Sequence, residues 1–195
     1  MKYSAGMISK SYWYLESKKT AQYMLEGLSR KEIVELAIND NLYQVDSEYR
    51  SKTIANAIYT RLDSLPKPLL EAIIKSDIAT SKILVLISII RTDRLFFEYM
   101  YEVFRNKIIL GEYKLKDRDF NIFFDGKKIQ SDVVDSWVYT TIRRLKSEYL
   151  KMLIESGIFN QDSREIIVPL LDYKIKEILL KNDMAHYLYA VTGEK

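Results

Sequence analysis

The chain contains no cysteine and only one histidine, His186, among its 195 residues. The missing thiols exclude disulfides, thiolate-bound zinc, iron–sulfur clusters and cysteine nucleophiles. A single imidazole cannot build a histidine-based metal site, and no serine or aspartate lies at a spacing from His186 that indicates a catalytic triad. We therefore expect no metal and no other cofactor, and we interpret His186 as a structural residue.

Proline and glycine are also scarce, at three and six residues. A β-sandwich or barrel needs frequent turns, whereas long stretches that mix charged and apolar residues suit helices. The sequence predicts an all-α fold, with one helical domain over residues 1–195 whose parts are 1–65, 66–111 and 112–195. A small β-hairpin is expected within 158–170, turning at Asp162 and Ser163.

No apolar run is long enough to cross a bilayer. The most apolar run, Ile83–Ile90, is flanked by Lys82 and Arg91. It is much shorter than the roughly 20 residues that a membrane helix needs. The opening residues 1–6 lack the apolar core and cleavage site of a secretory signal. We expect a cytoplasmic protein without membrane contact, and a buried helix at 83–90.

Capping and turn residues divide the chain into helices. Gly27 should end the first helix, Ser29 and Glu32 have the spacing of a capping box, and Gly126 should form a turn after a short helix. Ser47 is a plausible N-cap. The predicted helices cover residues 11–26, 30–40, 47–64, 69–75, 77–90, 93–108, 117–125, 137–156, 173–181 and 184–191.

The first candidate DNA-binding element is the helix pair 30–40 and 47–64, because short helices leading into a longer one are typical of helix-turn-helix motifs. Five apolar residues fall on one side of the longer helix and should face the core: Ile54, Ala55, Ile58, Leu62 and Leu65. The opposite side carries groups that can bind phosphates or base edges: Lys52, Thr53, Asn56 and Thr60, with Arg50 and Arg61 on its border.

The second candidate is the helix 137–156 with the turn before it. Its predicted apolar stripe consists of Val138, Ile142, Leu145, Tyr149, Met152 and Leu153. The far face carries no acidic residue and consists of Thr140, Arg143, Arg144, Ser147 and Lys151. Lys127 and Lys128 are expected in the preceding turn, where such a motif meets the DNA backbone. The formal net charge of +3 does not decide the matter, since a basic helix face is often merely solvated.

Other interpretations give different roles to the same chain. Glu112 and Lys114, with Asp93 upstream, faintly resemble the acidic and lysine residues of a metal-dependent nuclease, but that pattern belongs on a strand of an α/β core. Helix faces rich in tyrosine and arginine also suit an adaptor that binds only proteins. The aromatic helix 93–108 fits either a core or a docking patch, with the core favoured. Trp13 and Trp137 are expected to be core anchors.

Several blocks along the chain together resemble the BrxA family of the bacteriophage exclusion (BREX) defence systems. The blocks are residues 2–6, 47–50, 92–103, 117–125 and 169–172. None is a catalytic signature, and it is their number and order over nearly the whole chain that carry the resemblance.

The resemblance implies a monomeric all-α protein that binds double-stranded DNA within a phage-restriction and DNA-methylation system. It also implies two helix-turn-helix elements near basic surfaces, and contacts with other BREX components. From the residues themselves, which provide no set able to activate water or a nucleophile, we expect that the protein is not an enzyme. Some members of the family have been described as inner-membrane proteins, and the short apolar run at 83–90 argues against that description here. No DNA-contact residues are carried over from the family, so the candidate residues rest on helical geometry alone.

Overall fold

The structure, a computed structural model, describes residues 2–194; Met1 and Lys195, the two ends of the predicted domain, lie outside the described residues. About 69% of the chain is helical, and the sheet of the described part has two short strands. The predicted all-α fold is thereby confirmed. A 3₁₀ turn at Gly6–Ser9 opens the described chain.

The first half of the chain folds into helices whose starts are set by local capping. Ser29 and Glu32 form the predicted capping box, in which Glu32 accepts from the Ser29 backbone N–H at 2.7 Å. Ser47 and Asp77 each accept a hydrogen bond from a backbone N–H in the first turn of a later helix. The helices are α1 (Tyr14–Leu25), α2 (Arg30–Asn39), α3 (Glu48–Asp63), α4 (Lys67–Lys75) and α5 (Ile78–Thr92).

The second half begins with one continuous helical run that contains a π-helical turn. That run is α6 (Arg94–Tyr99), the π turn Met100–Phe104 and α7 (Arg105–Ile109). The helices α8 (Asp117–Gln130), α9 (Asp132–Asp135) and α10 (Tyr139–Glu155) follow, then the strands β1 (Phe159–Asn160) and β2 (Glu165–Ile166), then α11 (Tyr173–Lys181) and α12 (Ala185–Thr192). The antiparallel strands pair Phe159 with Ile166, as expected for a hairpin in this region.

One hydrophobic cluster draws buried residues from both halves of the chain, from α1 to α12. The apolar run in α5 lies inside it, with every residue from Ile83 to Ile90 buried, as predicted. In the part of the chain that the structure describes, no helix has both the length and the apolar character to span a membrane.

The aromatic helical run from α6 to α7 belongs mainly to this core. Phe96, Tyr99 and Phe104 are fully buried. The Tyr99 ring stacks on Phe120 of α8 with a centroid distance of 4.8 Å, and lies 5.4 Å from the ring of Tyr149 in α10. These rings tie three helices together, so the core interpretation of this run is confirmed. The predicted core anchors Trp13 and Trp137 are partly buried against the same cluster.

Three boundary predictions were wrong. The expected turn at Gly126 is absent, because α8 continues through this glycine to Gln130. Val138, expected in the apolar stripe, is instead the N-cap of α10 and is 65% exposed. The first helix starts at Tyr14 rather than near residue 11, since Trp13 adopts a left-handed backbone conformation with φ of 55°.

Candidate nucleic-acid interfaces

The helix α10 places its basic side chains on one exposed side. Thr140, Arg143, Arg144 and Ser147 are all exposed, and we refer to these four residues as the α10 surface. Successive residues of an α-helix are 100° apart, so these four fall within an arc of about 100°. The opposite side of the helix is buried through Ile142, Leu145, Tyr149, Met152 and Leu153. The predicted phase of this helix is therefore confirmed, apart from Val138.

Two lysines lie beside the α10 surface. Lys128, from the last turn of α8, and Lys146 line the same groove as Arg143, with a volume of about 620 Å³. The Lys146 ammonium donates to the side-chain oxygen of Asn121, which is an uncharged partner. Lys146 could not be identified from the sequence as a member of this surface. It lies at the edge of the apolar stripe, where helical periodicity alone does not distinguish a partly buried side chain from an exposed one. Only the placement of α8 against α10 reveals it.

Lys127 does not take part in this surface, contrary to the prediction. Its side chain is 4% exposed and its ammonium lies 2.6 Å from carboxylate oxygens of both Glu98 and Glu102. Burial lowers the pKa of Lys127, but hydrogen bonds from its ammonium to the two glutamates outweigh that effect, and the pKa is raised overall. Lys127 is a buried, ion-paired lysine and is not part of the α10 surface.

Lys151 is exposed, but its charge is not free. Its ammonium lies 2.8 Å from a carboxylate oxygen of Glu148, one turn earlier on α10. The expectation of a far face without any acid is therefore wrong at this end of the helix. The Lys151 side chain is 56% exposed and the Glu148 side chain is 16% exposed. This ion pair offsets the positive charge of Lys151, so the basic part of the helix is its first half.

The first candidate helix, α3, forms the wall of a concave cleft. Lys52, Thr53 and Asn56 line a cavity of about 500 Å³ that we call the α3 cleft. Its other lining residues come from the 3₁₀ turn and the residue after it, from α2, from the rest of α3 and from the end of α5: Met7, Lys10, Arg30, Tyr49, Ala57, Thr60, Arg61, Ile89, Thr92 and Asp93. Arg50 is exposed on α3 outside this cleft.

Arg30 organises one wall of the α3 cleft and was missed from the sequence. Its guanidinium donates to the side-chain oxygen of Asn56 at 3.0 Å, to the Asn56 carbonyl at 3.0 Å and to the Thr60 hydroxyl at 2.5 Å. The Asn56 side chain also donates to the Lys52 carbonyl at 2.8 Å. Much of the hydrogen-bonding capacity predicted for base reading on α3 is therefore used within the protein.

Arg61 is a core residue rather than a surface contact. It is 4% exposed and donates to the backbone carbonyl of Ser11 at 2.8 Å, and its guanidinium lies 5.3 Å from the centre of the Trp13 ring. Burial lowers the pKa of Arg61 to about 10, although Asp93 nearby favours its charged form. Its proposed role in binding the DNA backbone is thus corrected: Arg61 fixes the entry of the chain into α1.

The two candidate helix pairs differ in the length of the segment that connects their helices. Residues 40–47 connect α2 to α3, whereas residues 136–138 alone connect α9 to α10. The short connection is closer to that of a helix-turn-helix motif, in which the recognition helix projects from the protein surface. The assignment of either pair as such a motif stays a prediction.

The residues of the nuclease alternative do not meet. Asp93 caps α6 by accepting from the Phe96 N–H at 2.9 Å, while Glu112 follows the end of α7 and lies 3.6 Å from Lys107. The intervening helical run of Arg94–Ile109 is about 24 Å long at 1.5 Å per residue. Among residues 2–194, no group of three or more histidine or acidic residues is placed to hold a metal ion.

The fold and these surfaces define an all-α protein with basic side chains on one projecting helix face and around one concave cleft. The family model described as BrxA matches residues 1–183, and the chain belongs to this family. It is 40% identical over 194 residues to the "BREX protein BrxA" of Bacillus cereus (strain H3081.97), covering 98% of this chain and 97% of that protein.

A solved structure supports the same architecture. The crystal structure of an uncharacterized protein from Magnetospirillum magneticum superposes with a TM-score of 0.82 and covers 100% of both chains. The two sequences are 15% identical, so this similarity extends to the fold alone.

Proposed function

We propose that this protein is a non-enzymatic component of a BREX phage-defence system that binds double-stranded DNA in the cytoplasm as a monomer. The observation that carries the proposal is the α10 surface, where Arg143 and Arg144 are exposed on one side of a helix whose other side is fixed in the core. Family membership supports the assignment to BREX, since the relative is named as a BREX protein.

The α10 surface suits phosphate contacts better than base reading. Arg143 and Arg144 can each neutralise a DNA phosphate, and Lys128 and Lys146 lie beside them. Thr140 and Ser147 are the uncharged hydrogen-bonding groups of this surface, and two hydroxyls give little discrimination between base pairs. Binding should therefore depend mainly on backbone charge and only weakly on DNA sequence.

The absence of catalysis is part of the proposal and rests on the separation of Asp93 from Glu112 by the helical run from α6 to α7. Within the described residues, neither carboxylate belongs to a group of three or more acidic or histidine side chains that could hold a metal ion. Purified protein incubated with plasmid DNA and Mg²⁺ or Mn²⁺ should leave the plasmid intact and release no phosphate from ATP. Metal-dependent cleavage that disappears in Glu112→Ala would contradict this part.

The direct test is the double variant Arg143→Ala with Arg144→Ala. Neither side chain belongs to the buried side of α10, so the variant should keep its helical circular dichroism and its melting temperature. In gel-shift titrations it should bind every duplex at least tenfold more weakly than the parent, given about 1 kcal/mol per charge-assisted contact. Equal binding by variant and parent would show that this surface is only solvated.

A protein-binding adaptor is the second candidate, favoured by one specific feature. Leu110 and Ile122 are 71% and 59% exposed and line the same groove between α7 and α8. Exposed apolar side chains that share a groove are typical of docking sites. If the Arg143 and Arg144 variant retains full DNA binding, or if the parent binds no duplex at low salt, this groove becomes the place to look for a partner.

A further inference from the structure

The α3 cleft combines a cationic rim with an apolar floor at a junction of four parts of the chain. Three exposed basic side chains, Lys10, Arg30 and Lys52, line it. The buried Arg61 and the one acidic side chain, Asp93, attract each other in the same lining. Concave sites of a few hundred Å³ that join apolar walls to a few charged groups are typical ligand sites. We propose that the α3 cleft binds a nucleotide, separately from the DNA duplex at the α10 surface.

Two exposed lysines are placed to bind the phosphate group of the ligand. Lys10 and Lys52 both line the cleft and, among residues 2–194, neither forms an ion pair with a carboxylate. Asp93 is attracted to Lys10 and Arg61 at longer range and accepts from the Phe96 N–H. A single acid thus leaves net positive charge in the lining, and a phosphate group would give the two lysines the partner that the protein does not provide.

The apolar floor of the cleft is placed to contact the base or nucleoside part of the ligand. Met7, Ala57 and Ile89 come from three different elements and line the same cavity. Tyr49, which also lines the cleft, is 81% exposed and offers an aromatic face to solvent. A base or nucleoside has a planar, largely apolar surface that packs against such groups, whereas inorganic phosphate alone would leave the floor uncovered.

The shape of the cleft argues against an intact duplex as its ligand. Recognition of the major groove requires a helix that projects from the protein, but the cleft-lining residues of α3 share one concave cavity with residues of the 3₁₀ turn and of the end of α5. A single nucleotide fits this concave geometry in two ways. It is either a free nucleoside phosphate or the terminal nucleotide of a DNA strand.

The experiment is an NMR titration of the full chain with four probes: ATP, dAMP, inorganic phosphate and a 5′-phosphorylated single-stranded trinucleotide. We expect saturable shifts at residues of the α3 cleft with a nucleotide probe, and much weaker ones with inorganic phosphate. Tighter binding of ATP or dAMP than of the trinucleotide identifies a free nucleotide as the ligand. The reverse order identifies a strand end.

The variant Lys10→Ala with Lys52→Ala should weaken nucleotide binding about tenfold or more. Arg50→Ala is the matched control, because Arg50 is exposed on the same helix but does not line the cleft; it should bind as the parent does. Failure of every nucleotide probe to saturate, or unchanged binding by the double lysine variant, overturns the proposal.

The NMR titration, together with gel shifts on duplex DNA, separates this inference from the proposed function. The Arg143 and Arg144 variant should lose duplex affinity and keep nucleotide affinity, because its changes lie on α10 outside the α3 cleft. The double lysine variant should show the opposite pattern. If one variant abolishes both activities while its melting temperature is unchanged, the two sites are not separate and the inference is wrong.

Discussion

The ammonium of Lys127 in α8 lies 2.6 Å from a carboxylate oxygen of Glu98 in α6, and it is the buried member of this pair. Glu98 also accepts from the Tyr3 hydroxyl at 2.7 Å and lies 2.7 Å from Arg94. Burial raises the pKa of Glu98, but the hydrogen bonds from Lys127, Arg94 and Tyr3 outweigh it and lower the pKa overall. The cluster ties the amino-terminal segment to two helices.

Replacing Lys127 with methionine should therefore change stability and not DNA binding. Methionine keeps the apolar stem but leaves the Glu98 carboxylate with fewer partners, at a cost of about 2 kcal/mol in the free energy of unfolding. Urea denaturation followed by circular dichroism measures this cost, and a gel shift on the same sample measures binding. Lys128→Met is the control with the opposite outcome, since Lys128 lines the groove beside the α10 surface. Weakened DNA binding in a fully stable Lys127 variant would restore Lys127 to the interface.

The titration of His186 can be followed without overlap from other imidazoles, because it is the chain's only histidine. Partial burial, followed by repulsion from Arg91, lowers the pKa of His186 below 6.5. The folded state then resists protonation, so stability is full above about pH 6.5 and declines slightly as pH falls through the unfolded pKa. Proton NMR of the single imidazole should give a midpoint below 6.5, and Arg91→Gln should move it upward. A midpoint above 6.5 would reverse the sign of this pH dependence.

Gly126 marks where sequence and structure disagree. Ser29 with Glu32, and Asp77, signal helix starts through bonds to their own backbone neighbours, so those ends were predictable. A glycine is also a normal end signal, yet here Phe123, Phe124 and Lys127 are buried on both sides of it and hold α8 together. Tertiary packing overrides the local propensity of one residue.

This disagreement yields a stability prediction. Gly126→Ala should raise the free energy of unfolding by about 1 kcal/mol, because a helix-interior glycine costs that much relative to alanine and an added Cβ meets nothing within 4 Å. Gly193→Ala is the contrasting variant: Gly193 has φ of 76° and its Cβ would clash with Ile108, so stability should fall by about 1 to 3 kcal/mol. Thermal melts of both variants decide the matter, and destabilisation by Gly126→Ala would indicate a break in α8.

The candidate sites were predictable only in part, for a related reason. Periodicity gives the angle of a residue around its own helix, and it placed Arg143, Arg144 and Lys52 correctly on exposed sides. It carries no information about partners from other elements. Arg61 is buried because its partner is the carbonyl of Ser11, fifty residues away, and Lys10 enters the α3 cleft only through the packing of the 3₁₀ turn region against α3.

The last prediction concerns the salt dependence of DNA binding. With Lys127 buried and Lys151 paired to Glu148, three or four basic groups remain to neutralise phosphates: Arg143, Arg144 and Lys128, with Lys146 as the fourth. At a slope near −0.9 per phosphate, affinity should fall by roughly 40- to 150-fold between 50 and 200 mM salt.

The slope should also respond to single substitutions. Arg143→Ala should reduce its magnitude by about 0.9, since one phosphate contact is lost. Lys75→Ala is the matched control for removing one positive charge, because Lys75 lies on α4 and is paired with Glu71 at 3.1 Å. It should leave the slope unchanged. Equal reductions in both variants would mean that overall charge, and not the α10 surface, attracts the duplex; a parent slope near zero would exclude a phosphate-based interface and favour the adaptor.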